Sequence, residues 1–347
     1  MTKTAVVLFN LGGPDRPEAV QPFLFNLFND PAIIGLPTPL RWLLAKLISK
    51  RRAPVAQEIY RELGGGSPLL PNTQAQAAAL DSALKAKGVG EARVFIAMRY
   101  WHPRAEETAK EVAAYAPDQV ILLPLYPQFS TTTSGSSLKE WERVAKAAGL
   151  RAPSRSVCCY PEESGFVEAV ALRLREALRQ VDHEMTPRVL FSAHGLPKKI
   201  VEKGDPYQWQ VEQSVAAVVR SLGEVNLDWQ VCYQSRVGPL EWIGPSTDAE
   251  IEKAGSEGRP LIVVPIAFVS EHSETLVELD IEYRALATAS GVPSYTRVAT
   301  VATDAPFIEG LAEQVSRALA SDRAICSHAG GRFCPAKWSG CPQALQG

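Results

Sequence analysis

The chain has 347 residues, 46% hydrophobic and 21% charged, which suits a globular protein of two ordinary domains or one large α/β unit. Its 36 basic and 38 acidic residues give a net charge of −2, which argues against nucleic acid as a partner. No apolar run of about eighteen residues marks a membrane-spanning helix. Met1-Thr2-Lys3-Thr4 leads straight into a strand-like run with no secretory pattern. A cytoplasmic protein whose six cysteines begin as thiols is expected.

Short apolar runs predict strands over residues 5–9, 94–97, 120–125, 155–159, 189–192, 229–233, 261–266 and 297–300. Between them, helical patterns cover residues 73–87, 105–114, 166–181, 207–222 and 273–289. This alternation favours parallel sheets covered by helices. Val7-Leu8-Phe9-Asn10-Leu11-Gly12-Gly13-Pro14 echoes Val189-Leu190-Phe191-Ser192-Ala193-His194-Gly195-Leu196-Pro197, and residues 120–125 echo 261–266. Two similar halves with a cleft between them follow, divided near residues 160–187.

Along the chain, residues 23–48 form an apolar stretch broken by three prolines, so it is not one helix. It reads as core, as a lip over a flat apolar ligand, or as a shallow membrane contact. Lys50-Arg51-Arg52 follows and suits acid groups on such a ligand. Gly64-Gly65-Gly66-Ser67-Pro68 lacks the Gly-Lys-Ser/Thr ending of a P-loop and reads as a tight turn between helices. In Met98-Arg99-Tyr100-Trp101-His102-Pro103, an arginine beside aromatics could pair a ligand carboxylate while rings stack on a plane, or form a structural cation–π cluster.

His194 ends a strand at a Gly/Pro-bounded turn, and Ser270-Glu271-His272-Ser273-Glu274-Thr275-Leu276-Val277-Glu278 follows a second strand. Both segments would fall at the carboxyl edge of a parallel sheet, where open α/β proteins bind ligands. On a helix, Glu271, Glu274 and Glu278 share a face, and their mutual repulsion calls for a cation or a proton. Histidine facing carboxylates can hold a divalent metal and move protons. Cys326, Cys334 and Cys341 lie in a Gly/Pro/Ser-rich tail, with seven and then six residues between them, and Cys158-Cys159 offers a fourth thiolate. Four thiolates suit a [2Fe–2S] cluster or structural zinc, and His328 keeps a Cys₃His zinc site open.

From about Val6 to Ser321 the sequence resembles the ferrochelatases. The resemblance rests on residues 10–14, 50–52, 64–68, 99–103, 126–130, 135–138, 191–197 and 204–207. It continues through Gln234-Ser235-Arg236-Val237-Gly238-Pro239, Trp242-Ile243-Gly244-Pro245 and residues 264–283. It implies an α/β fold of two Rossmann-like domains, each a parallel four-stranded sheet flanked by helices, with a porphyrin cleft between. The domains would span residues 1–165, with the lip at about 20–50, and 166–320, followed by a cysteine-containing tail at 321–347.

The implied reaction inserts Fe2+ into protoporphyrin IX to give protohaem. His194 and Glu274 would be catalytic, with Glu271 and Glu278 behind them, and these four would handle the Fe2+ substrate. Porphyrin contacts would come from Leu11, Arg52, Tyr60, Ser67, Arg99, Tyr100 and Trp242. The tail lacks the closely spaced cysteine pair of animal members and resembles some bacterial ones. A [2Fe–2S] cluster on Cys158, Cys326, Cys334 and Cys341 is expected, with Cys159 as substitute for Cys158. A peripheral contact of the lip with the inner membrane is compatible with this reading. The alternatives are a chelatase for coproporphyrin III or sirohydrochlorin, which would need more cations in the pocket, or a non-catalytic porphyrin carrier. Oligomeric state is not legible.

Overall fold

Continuous apolar runs make strands that are buried on both faces, as in parallel sheets. The computed structural model describes residues 2–181, 185–223, 226–236 and 238–346; Val237 of the Gln234–Pro239 motif and the last residue of the tail lie outside them. The strands are β1 (Lys3–Asn10), β2 (Glu91–Met98), β3 (Gln119–Pro124), β4 (Ser154–Val157), β5 (Arg188–His194), β6 (Asp228–Gln234), β7 (Leu261–Pro265), β8 (Tyr295–Arg297) and β9 (Ile325–Cys326). They form two parallel sheets, ordered β2-β1-β3-β4-β9 and β6-β5-β7-β8. The first four positions of one sheet repeat the order of the other. The expected four strands per sheet become five in the first, because the tail returns and adds β9 beside β4.

Alternation along the central strands assigns their faces. In β1, Val6 and Leu8 enter an apolar core that also holds Val189, Phe191, Ile262 and Val264 of the second sheet. Ala5, Val7 and Phe9 enter a separate core with Trp141. The shared core is filled by helices Ser164–Arg179, Tyr207–Leu222 and Ala305–Ala320. Arg173 clamps Asp304, the residue before the last of these, through bonds of 2.5 and 2.7 Å. On the opposite face of β5, Leu190 packs with Ile251, Leu279 and Ala287.

The apolar stretch at 23–48 is broken as its prolines require. Helix Val20–Phe28 ends before Pro31, and helix Thr38–Glu62 begins just after Pro37, with Pro39 in its tolerant first turn. Leu36, Leu40, Leu43 and Leu47 stand 41–61% exposed along this second helix and the turn before it. The glycine run forms the expected turn, joining that helix to helix Leu69–Ala86. A Cβ on Gly13 would come within 2.4 Å of Ser67 Oγ. Glycine there lets the loop after β1 close on the turn and hold Ser67 in place.

Candidate active site

His194 is the last residue of β5 and shares a face with Leu190 and Ser192. That face is covered by helix Thr247–Ser256 and by a π-helix over Glu274–Glu282. The next residue is Gly195, where a Cβ would meet Gln234 O at 2.8 Å. Glycine therefore lets β5 and β6 stay close at the point where the histidine emerges. His194 Nδ1 lies 2.9 Å from Glu274 Oε2. Pairing with the carboxylate sets the tautomer: Nδ1–H donates to Glu274, and Nε2 keeps its lone pair.

The i→i+5 winding of the π-helix brings residues four apart close to one line. Glu274, Glu278 and Glu282 accordingly line one cavity together with Asp248. Glu278 is held by Ser235, whose N–H donates to Oε1 at 2.7 Å and whose hydroxyl donates to Oε2 at 2.5 Å. Gln234 Nε2 donates to Oε2 at 3.1 Å. The two neighbouring carboxyls are driven apart in acidity. Burial opposes the charge of Glu274, but protonated His194 outweighs it and holds the group down to about 2. Burial, and then the charge of Glu274, push Glu278 up. Burial pulls His194 down, while Glu274 pulls it up more strongly, so its net shift is upward. Its side chain is 43% exposed and lines the apolar cavity.

Two cavities meet at this pair. The acidic one has a volume of about 740 Å³. The second, about 510 Å³, is lined by His194 and by apolar lip residues such as Phe28, Ile33, Ile34 and Ile48. Both touch Leu11, Arg52, Trp242, His272 and Glu274. A flat apolar molecule would fit between the walls with His194 at one side and the carboxylates behind. His272, singled out only as part of its segment, sits 3.9 Å from Glu274 and packs at a tilt against Phe268, with ring centres 4.7 Å apart. Burial lowers its pKa.

The residues expected to form the site fall into two groups. His194, Glu274 and Glu278 come together, and Leu11, Arg52, Tyr60, Ser67, Tyr100 and Trp242 line one or both cavities. Glu271 does not join them. The helix starts after it, and its Oε1 is taken by Arg297 at 2.6 Å and the Thr300 N–H at 2.9 Å. The ridge instead gains Glu282, which follows Glu278 at the C-terminal end of the π-helix. Arg99 faces neither cavity; its guanidinium is committed to Asp30 and Ser136.

The cysteines also regroup. β4 ends at Val157, so the strand alternation that would separate Cys158 from Cys159 stops before them. Their sulfurs lie 3.4 Å apart. Cys334 and Cys341 act on each other's acidity, Cys341 also acts on that of Cys159, and Cys334 Sγ accepts from Gln210 Nε2 at 3.1 Å. Cys326 pairs with Val157 in the sheet, joins the apolar core and points its thiol at Arg323 O. The Cys334 thiol donates to Cys341 and, with backbone N–H groups of Gln343 and Ala344, brings Cys341 down to about 6. His328 packs its ring on Phe333 at 4.6 Å. Among the described residues, no three His, Cys, Asp or Glu side chains form a metal-binding group.

Comparison with known proteins agrees with this architecture. The ferrochelatase family model matches residues 3–319. A ferrochelatase of Caulobacter vibrioides (strain NA1000 / CB15N) is 56% identical over 341 residues, covering 98% of this chain and 97% of the relative. One from Phenylobacterium zucineum (strain HLK1) is 57% identical over 340 residues, covering 98% and 97%. Among solved structures, SirB from Bacillus subtilis with Fe3+ superposes with a TM-score of 0.53 at 14% identity, covering 92% of this chain and 96% of that one. At that identity the likeness carries the fold alone.

Proposed function

The chain belongs to the ferrochelatase family and is a metal chelatase of haem synthesis, and from that premise we propose how its residues insert Fe2+ into protoporphyrin IX. The carrying observation is the His194–Glu274 pair at the junction of an apolar and an acidic cavity. Insertion exchanges two pyrrole protons for one dication. His194 Nε2 accepts the two pyrrole protons in turn from the porphyrin held in the apolar cavity, passing on the first before it takes the second. Glu274 stabilises the imidazolium that results. Glu278, with its raised affinity for protons, takes the proton onward, and Glu282 and Asp248 continue the acidic path. Substrate Fe2+ approaches along the same carboxylates, whose few hard oxygen donors hold it loosely enough to release it to four pyrrole nitrogens. Arg52 and Ser67 contact the propionates, and Leu11, Tyr60, Tyr100 and Trp242 pack on the ring. The apolar cavity with few free cations favours a dicarboxylic porphyrin over coproporphyrin III or sirohydrochlorin. The experiment is anaerobic turnover with protoporphyrin IX and Fe2+. Many equivalents of haem per chain are expected; stoichiometric porphyrin binding without metal entry would support a carrier instead.

A [2Fe–2S] cluster belongs to the same reading. Two irons need two pairs of thiolates, and the chain offers Cys158/Cys159 and Cys334/Cys341 as pairs, with Cys326 turned away. The acidic Cys341 thiol and the N–H groups around it suit a thiolate ligand. When bound, the group would supply a covalent link between the end of β4 and the tail, and a one-electron couple. The test is iron content and the visible spectrum of the purified protein. Cys341→Ser is expected to bleach the spectrum and Cys326→Ser to leave it; a bleached Cys326→Ser protein would return the ligand set to that read from the sequence. The exposed leucines of the lip, beside Lys46, Lys50 and Arg51, further suit peripheral contact with an anionic membrane from the cytoplasmic side.

A further inference from the structure

Where the lip joins the first sheet, a buried carboxylate gathers four hydrogen bonds. Asp30 follows helix Val20–Phe28 and precedes the lip residues Pro31 to Ile34. Its Oδ2 accepts from Arg99 Nη2 at 2.6 Å, Ser136 Oγ at 2.6 Å and Tyr100 Oη at 2.8 Å. Its Oδ1 accepts the N–H of Ala32 at 2.8 Å. Arg99 Nε donates to Ser136 Oγ at 2.8 Å, which closes the network. The ion pair is nearly sealed, with the Arg99 and Asp30 side chains 14% and 2% exposed.

Two consequences follow. The charge of Arg99 is cancelled inside the protein, directly behind the Tyr100 wall of the apolar cavity. The Ala32 bond fixes the turn that sets Ile33 and Ile34 against the same cavity. We propose that Asp30 is a positioning and specificity-determining residue that keeps this wall uncharged and apolar, so that the site selects a porphyrin with two carboxylates over one with four. The inference rests on the ferrochelatase reading. A charge left unpaired in a low-dielectric wall acts strongly on any carboxylate that reaches it. Asp30→Asn frees the Arg99 cation. Arg99→Gln leaves the Asp30 anion. The two variants therefore act with opposite sign.

The test is anaerobic Fe2+ insertion by the full chain with protoporphyrin IX and with coproporphyrin III, comparing kcat/KM ratios. Asp30→Asn is expected to shift the ratio toward the tetracarboxylic porphyrin by about tenfold, chiefly through KM. Arg99→Gln is expected to shift it the other way, and Asp30→Asn/Arg99→Met, which removes both charges, to return it toward the parent value. If Asp30→Asn fails to fold, the other two carry the test. Folded variants whose ratios do not move, even with lowered melting temperatures, would overturn the proposal and leave a structural role. Failure of the parent chain to insert iron into protoporphyrin IX would instead overturn the ferrochelatase reading itself.

Discussion

β1 and β5 occupy the same position in their sheets, second in β2-β1-β3-β4 and β6-β5-β7-β8, and each ends in a polar side chain at the cleft. Asn10 ends β1, and both ends of its amide are engaged: Nδ2 donates to Thr73 Oγ1 at 3.0 Å, and Oδ1 accepts the Leu11 N–H at 2.8 Å. His194 ends β5 and engages Nδ1 alone. The Asn10 bonds pin Leu11 against the cavity. The His194 bond raises the basicity of the ring nitrogen left over. One topology thus serves two tasks, with the first half holding the substrate and the second exchanging protons with it.

The sharpest break of that comparison is to truncate each residue in turn. His194→Ala is expected to lower kcat by about 10²–10⁴-fold, the range of a lost general base. Asn10→Ala is expected to act mainly on KM and on melting temperature, since it strips the Leu11 anchor and leaves Thr73 buried without its donor. Steady-state haem formation by both variants checks this. Equal losses of kcat would erase the division between the halves.

Glu274→Gln sharpens the same point with a smaller effect, about 10²-fold in kcat, and a change in pH profile. Neutral His194 is the proton acceptor, and Glu274 raises its pKa above the usual 6.5. Activity in the parent chain should therefore fall as pH drops through that raised value, because the ring is then already protonated. Without that carboxylate, only the weaker pull of Glu278 opposes burial, so the pKa falls and the acidic limb must move to lower pH. A limb that stays in place would mean that another group titrates there.

His194 and Glu274 were legible in the sequence because parallel topology puts the ends of adjacent strands at one edge, whatever the loops do. The π-helix was not. A run with glutamates three and four apart fits an α-helix equally well, and only the packed backbone shows that the helix starts after Glu271 and lines up Glu282. Arg99 reads in the sequence as a porphyrin contact or a cation–π cluster because its partner, Asp30, lies 69 positions away in a stretch that looks merely apolar. Cys158 and Cys159 fall inside the strand expected over residues 155–159, but β4 ends at Val157 and leaves both beyond it. β8 runs over Tyr295–Arg297 rather than the expected 297–300, since short edge strands are fixed by neighbours more than by composition. β9, two residues long, carried no pattern at all.

The holding half makes its own mildest claim at the lip. Leu43 and Leu47, four apart on one face of helix Thr38–Glu62, are 61% and 54% exposed. Each leucine moved from water into a lipid interface gains about 2 kcal/mol, and the nearby lysines and arginines add attraction to anionic headgroups. Leu43→Glu/Leu47→Glu is therefore expected to abolish co-sedimentation with phosphatidylglycerol-containing vesicles while kcat with detergent-dispersed protoporphyrin stays within about threefold of the parent. KM for porphyrin delivered from vesicles should rise, because an apolar substrate then has to cross water. Unchanged sedimentation would remove these leucines from any membrane contact. A collapse of kcat would place the lip in the chemical step and remove the line drawn between the half that holds and the half that reacts.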